Sequence, residues 1–152
     1  MYVLGTLRKP EVPGTARRGT PADLDLVASW LGAFHDEATP TAAVEDDYEV
    51  AHRLLVGRRL WMWEAYGEPV ALAAVTTPAA GAARVGPVCT PPAQRRRGYG
   101  AVVAASASAA GREEGADGVV LYADLANRTS NSIYQAIGYR PDHDAGEWDL
   151  VR

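Results

Sequence analysis

The sequence predicts one α/β domain, antiparallel in its first half and completed by a right-handed strand–helix–strand crossover over residues 83–125. Three observations carry this. The 152 residues and 47% hydrophobic content suffice for one domain with a core and are too few for two enzymatic domains. Apolar spacing changes from a helical period before residue 57 to a two-residue alternation over residues 60–76. A long alanine-rich stretch then separates two further apolar strands, which a helical crossover makes parallel neighbours.

Residues 1–14 read as an extended leading segment, with Tyr2, Val3 and Leu4 as a short edge strand. Pro10, Pro13, Gly14, Gly19 and Pro21 break regular structure up to the first helix. That helix starts at Pro21: Thr20 suits the N-cap, proline suits the first helical position, and Asp23 and Asp25 favour the positive dipole end. Leu24, Val27, Leu31 and Phe34 recur at helical spacing, with Trp30 beside them. A second helix spans Val44 to Val56, capped by Thr41 and ended by Gly57. The alternating runs 60–66 and 70–76 around Gly67, Glu68 and Pro69 form a hairpin. Residues 78–81 make the next turn. The strand 83–90 contains Gly86-Pro87, which predicts a bulge, because proline removes a ladder hydrogen bond. Residues 101–114 form the alanine-rich helix, stopped near Gly115. A buried strand at 118–125, a short helix at 130–137 closed by Gly138, and a strand from Trp148 to Val151 complete the chain.

Composition excludes several function classes. Nineteen acids against 15 bases give a net charge of -4, so no global positive field draws nucleic acid or an anionic membrane. With one cysteine, Cys89, no internal disulfide forms, and His35, His52 and His143 provide no Cys/His zinc spacing, so no metal is expected. Residues 1–13 lack the apolar run of a signal peptide, and residues 102–110 are too short and serine-broken to span a bilayer. A cytoplasmic location is the expectation.

The informative stretch is Gln94-Arg95-Arg96-Arg97-Gly98-Tyr99-Gly100, set between the bulged strand and the long helix. Such a turn aims free backbone N–H groups and the positive dipole end at one point, and its glycines admit a pyrophosphate close to the backbone. It is not a Walker loop, since no Gly-Lys-Ser/Thr follows, nor a dinucleotide fingerprint, since the third glycine is missing. Three arginines before a helix also serve as a solvated cap, so the loop alone does not decide. A nucleic-acid patch is disfavoured by the net charge and the lack of a recognised motif.

A second stretch, from Asn127 through Tyr134 to Gly138 and Tyr139, follows a strand and forms the short helix. Together the two stretches resemble the GNAT superfamily of N-acetyltransferases. Arg95, Gly98 and Gly100 match its cofactor loop Q/R-x-x-G-x-G/A. Asn127, Tyr134, Gly138 and Tyr139 match its N-x-x-A-x-x-L-Y-x-x-x-G-F/Y helix, with Ser130 in place of alanine and Ile133 in place of leucine. The resemblance spans residues 15–150. It implies a mixed, mostly antiparallel sheet of six to seven strands with a splayed parallel pair, and about four helices on both faces.

The resemblance also implies acetyl-CoA as cosubstrate and direct attack by a primary amine, of a small molecule or a peptide, in a ternary complex. Val88, Cys89 and Thr90 fall where the pantetheine arm lies against the bulged strand, with a backbone N–H near Val88 stabilising the oxyanion. Residues Arg95, Arg96, Arg97, Gly98, Tyr99 and Gly100 hold the pyrophosphate, and Asn127 and Asn131 meet the pantetheine or adenine end. Tyr134 is the general acid, because a phenol's ordinary pKa of about 10 lies near that of a departing thiol. Homodimerisation is frequent in the superfamily.

For the base, Glu37, Glu64 and Asp124 are the candidates, with Glu37 ahead because the first two helices build many GNAT acceptor pockets; a water chain without one base is the alternative. Trp30 and Phe34 are candidate acceptor-pocket residues, whereas Trp61 and Trp63 read as core. His35 and His143 read as exposed, and Cys89 as a small buried packing residue with no covalent role. A GNAT-fold module that only binds a CoA ester, or the C-terminal lobe of a longer GNAT chain, is the alternative to an enzyme.

Overall fold

The computed structural model describes residues 1–38, 46–123 and 127–142. They form a seven-stranded sheet from β1 (Tyr2–Leu4), β2 (Thr15–Arg18), β3 (Leu60–Ala65), β4 (Glu68–Val75), β5 (Ala82–Cys89), β6 (Gly118–Leu121) and β7 (Tyr139–Pro141). The order is β2-β3-β4-β5-β6-β1-β7, antiparallel throughout except for the β5–β6 pair. Four helices accompany it: α1 (Leu24–Ala38), α2 (Asp47–Val56), α3 (Tyr99–Glu113) and α4 (Arg128–Ala136). This is the mixed, splayed sheet the resemblance implies.

Alternation along the central strands divides the core between the two faces. Leu60, Met62, Leu72 and Ala74 pack with Val27, Leu31, Ala51 and Leu55 of α1 and α2. Trp63, Ala65, Ala71, Ala73 and Val75 pack with α3. The small residues of α3 let it lie tightly on the sheet, and a Cβ at Gly111 would stand 3.2 Å from the Ala83 Cβ. Its buried serines are satisfied within the helix, since Ser106 and Ser108 donate to the Val102 and Ala104 carbonyls at 2.9 and 2.7 Å.

Several boundaries differ from the sequence reading. Tyr2–Leu4 is not at an edge. It lies between β6 and β7, with Val3 opposite Val120 on one side and Arg140 on the other. β2 occupies the end of the sheet instead, and its polar Thr-Ala-Arg-Arg sequence suits a strand paired only with β3. Residues 21–23 make a single 3-10 turn ahead of α1. The hairpin turn is Tyr66-Gly67, with φ of 53° and 80°, so Pro69 falls inside β4 where the register shifts. For α2, Asp46 is the N-cap, its carboxylate accepting from the Tyr48 N–H at 2.8 Å; the expected start at Val44 and the Thr41 cap lie outside the described residues. The 148–151 strand also lies outside them. α3 and α4 each begin two residues earlier than the spacing predicts, at Tyr99 and Arg128.

The expected distortion of β5 is present and places the site. From Ala82 to Val85, β5 pairs with β6, ending at Val85 opposite Leu121. Beyond that point Gly86, at φ 141°, turns the strand, and the β4–β5 register shifts between Ala73 and Val75. Val88 and Cys89 continue beside Ala73 and Leu72, while among the described residues no strand lies against the side once facing β6.

Candidate functional site

A cleft of about 650 Å3 opens where β5 and β6 part. One wall is a stripe of α1, with Trp30, Ala33, Phe34 and Glu37 at successive turns of one face. The floor is Val88, Cys89 and Thr90 at the end of β5. The opposite wall is the loop into α3 and the inner face of α4, including Tyr134. The sequence places these residues far apart, and splaying of the sheet brings them together.

The arginine loop is shaped by two residues with left-handed backbone, Arg96 at φ 66° and Gly98 at φ 83°. Gly98 caps α3, and the first ladder bond runs from the Val102 N–H to its carbonyl at 3.0 Å. The N–H groups of Tyr99, Gly100 and Ala101 therefore precede the ladder, and all three residues line the cleft. Gly100 has a packing reason as well, because a Cβ there would stand 3.2 Å from the Thr90 hydroxyl. The loop and the N-terminal, positive end of the α3 dipole thus border the cleft.

Val88, Cys89, Thr90, Arg95, Arg96, Gly98, Tyr99, Gly100 and Asn127 all line the cleft; Arg97 and Asn131 are not part of its lining. Arg97 is exposed. Asn127 caps α4 by accepting from the Ser130 N–H at 3.1 Å. Trp30 and Phe34 line the α1 wall. Trp61 and Trp63 pack with the α3-side core, away from the cleft.

The carboxylates separate clearly. Glu37 lines the cleft, but its two oxygens both accept from Arg95 Nη2 at 3.0 Å. Arg95 Nε in turn donates to the Thr90 carbonyl at 2.9 Å. Glu64 is held elsewhere, accepting from Arg17 Nε at 2.8 Å. Asp124 lies outside the described residues. His35 is half-buried rather than exposed, with Nδ1 3.0 Å from the Asp47 carboxylate. His143 lies outside the described residues, and His52 is exposed on α2. Among the described residues no three metal-ligating side chains cluster. No described helix is long and apolar enough to cross a membrane.

Burial governs the two protic groups at the base of the cleft. It pushes the Cys89 thiol up to about 12, with the Glu37 charge adding to the shift. It pushes the Tyr134 phenol up to about 12 as well, with Cys89 contributing. Tyr134 is buttressed by Tyr2 of β1 and Tyr139 of β7, at ring-centroid distances of 6.4 and 6.3 Å. Tyr139 is anchored by a 2.6 Å hydrogen bond with Ser108.

Sequence reasoning missed several lining residues, among them Ala33, Pro91, Ala101, Thr129 and Ile133. Ala33 carried a usable signal, its place on the stripe between Trp30 and Glu37. The Glu37–Arg95 pair carried none, since 58 residues separate its members.

A family model, FR47-like protein, matches residues 65–148 of the 152. The chain belongs to the FR47-like family of GNAT N-acetyltransferases. Solved structures agree on the fold. The FR47-like chain resembles a GCN5-related N-acetyltransferase from Kribbella flavida, at 27% identity and TM-score 0.66, covering 92% of this chain and 52% of that one. It resembles a GNAT-family acetyltransferase from Colwellia psychrerythraea at 13% identity and TM-score 0.71, covering 91% and 50%. A Brucella melitensis GNAT acetyltransferase, solved in complex with acetyl-CoA, superposes at TM-score 0.64 with 21% identity, covering 86% and 85%. The FR47-like chain therefore spans about half of the Kribbella and Colwellia chains and most of the Brucella one. No curated protein matches it in sequence.

Proposed function

We propose that this chain is a single-domain cytoplasmic N-acetyltransferase that moves the acetyl group of acetyl-CoA to a primary amine by direct attack. The observation that carries the reading is the cleft itself: the end of β5, bonded among the described strands to β4 alone, shares it with the N-terminus of α3. An extended arm fits along the first and a diphosphate at the second. The volume lies within the usual ligand range of about 300–1,000 Å3. The Brucella complex with acetyl-CoA supports the choice of ligand.

When bound, acetyl-CoA supplies an acyl group activated as a thioester. In this reading the N–H groups of Tyr99, Gly100 and Ala101 hold the diphosphate, with Arg95 and Arg96 balancing its charge. The backbone of Val88, Cys89 and Thr90 holds the pantetheine arm, and Asn127 lies toward one of its ends. An N–H near Val88 takes the developing oxyanion, a contribution of about 3–4 kcal/mol for one well-placed donor. Trp30 and Phe34 receive the body of the acceptor, a small-molecule or peptide amine. Glu37 takes its proton once parted from Arg95.

Tyr134 protonates the departing sulfur. Burial lifts its phenol above the ordinary value, which on its face disfavours proton donation. The neighbouring Cys89 thiol is lifted to about 12 by the same burial. A thiolate leaving into the same buried setting is raised in the same direction, which limits the mismatch.

The deciding experiment is thermal unfolding with acetyl-CoA, with CoA, and with ATP as phosphate control. At about 100 times the dissociation constant, one site adds about 2.7 kcal/mol, or roughly 5–11 °C for this chain length. A shift with both CoA ligands and none with ATP supports the site and leads to an amine panel read by thiol release. No shift with any of them overturns it. Coverage of only half of the Kribbella and Colwellia chains favours a second reading, a CoA-binding lobe of a longer protein. CoA binding without thiol release across the panel would select it.

A further inference from the structure

The two walls of the cleft are joined by an ion pair whose members the proposed reaction needs for different ligands. Arg95 Nη2 spans to both oxygens of Glu37, and Nε rests on the Thr90 carbonyl. Arg95 is thus held beside the α3 N-terminus while its charge is spent on the α1 wall. Both side chains are about half exposed, at 48% and 52%. A pair so placed is weak. A diphosphate at the α3 N-terminus is a stronger partner, because it carries more than one charge and matches the planar guanidinium fork. Glu37 itself ends the stripe Trp30–Phe34–Glu37 on α1, so its release leaves an aromatic face terminated by a carboxylate. That surface suits a protonated amine on an apolar body.

Resting on the reading of the cleft as an acetyl-CoA site, we propose that the cosubstrate's phosphates take Arg95 from Glu37, and that the freed Glu37 receives the acceptor's ammonium group. Arg95 exchanges one anion for another, and Glu37 exchanges one cation for another. Each ligand removes the competitor of the other. Binding is therefore cooperative, with equal coupling in both directions, and the acceptor meets a free carboxylate more often once the cosubstrate has arrived.

The test is a double-mutant cycle read by calorimetric CoA affinity in the intact chain, using Glu37→Gln, Arg95→Gln and the double variant. Acetyl-pantetheine, which lacks the diphosphate, serves as control. Both side chains are half exposed, so the variants keep the fold. Glu37→Gln is expected to tighten CoA about two- to fivefold, the strength of an exposed ion pair, and to leave acetyl-pantetheine unchanged. In the Arg95→Gln background the tightening should vanish. Equal tightening in both backgrounds would mean that Glu37 merely repels phosphate, and overturns the exchange. No tightening on Glu37→Gln in the chain that keeps Arg95 overturns it too. A wild-type chain that binds no CoA defeats the reading of the cleft instead, which keeps the two failures apart.

Discussion

Tyr134 shows how one side chain's setting decides its chemistry. Its position in the motif was legible, but its burial between Tyr2, Tyr139 and Cys89 was not. Removing the hydroxyl while keeping the ring should lower kcat about 100-fold or more, the usual scale of general acid catalysis. Acetyl-CoA affinity should stay within about twofold. Thiol-release kinetics with a parallel thermal-shift titration check this, and unchanged turnover in Tyr134→Phe takes the phenol out of the mechanism. Gly98 is a second case. At φ 83°, with the Val12 side chain 3.1 Å from any added Cβ, Gly98→Ala should cost about 1–2 kcal/mol. Denaturant unfolding measures that directly. The motif marked Gly98 and Gly100 as glycines without giving the cause: the first needs left-handed backbone, the second a close approach to Thr90.

Among the elements, β1 matters far more than its three residues imply. It provides the sheet neighbour of β7 and covers the free side of β6. Val3→Pro, opposite both Val120 and Arg140, removes a ladder donor between two strands. We expect destabilisation of roughly 1–3 kcal/mol and, because Tyr2 supports Tyr134, a fall in turnover with it. The entrance to α1 is fixed differently. Arg17 on β2 donates to both Asp23 oxygens at 2.8 and 2.9 Å, and the Thr20 N–H donates to Asp23 at 2.8 Å. These bonds, the Arg17 contact first, hold the Asp23 carboxyl below its usual value of 3.8. A depressed folded-state pKa stabilises at pH above that ordinary value and loses the benefit as pH falls through the lower one. The thermal midpoint should therefore drop as pH is lowered below about 4, and Asp23→Asn should flatten that part of the profile. An identical acid limb in the variant rejects the assignment.

For the molecule as a whole, both helical layers pack on one sheet, alternate residues of β3 and β4 serving each core. The two cores therefore share a backbone and should melt together, as one domain. Unfolding followed by far-ultraviolet circular dichroism and by tryptophan fluorescence should give coincident transitions. Trp30 reports the α1–α2 layer and Trp63 the α3 layer, so two separated midpoints would show two independent units. The same shared sheet positions the site, since the end of β5 is pinned by β4 and, among the described residues, its pairing with β6 stops at Val85.

Local rules act within one turn or one strand, and what they govern was readable in the sequence. The helical stripe of α1, the hairpin of β3 and β4, the irregular Gly86-Pro87 and the glycines of the loop before α3 each declare themselves over a few residues. The two motifs in order were enough to point to the superfamily. Tertiary structure decided what depends on residues distant in the chain. It moved β1 to the interior of the sheet, because the unpaired sides of β6 and β7 both needed a partner. It drew Glu64 away to Arg17 and closed Glu37 onto Arg95, choices no spacing rule records. The pKa values of Tyr134 and Cys89 were likewise set by burial. Desolvation and charge pairing depend on distances in space, which the chain acquires only when the sheet has formed.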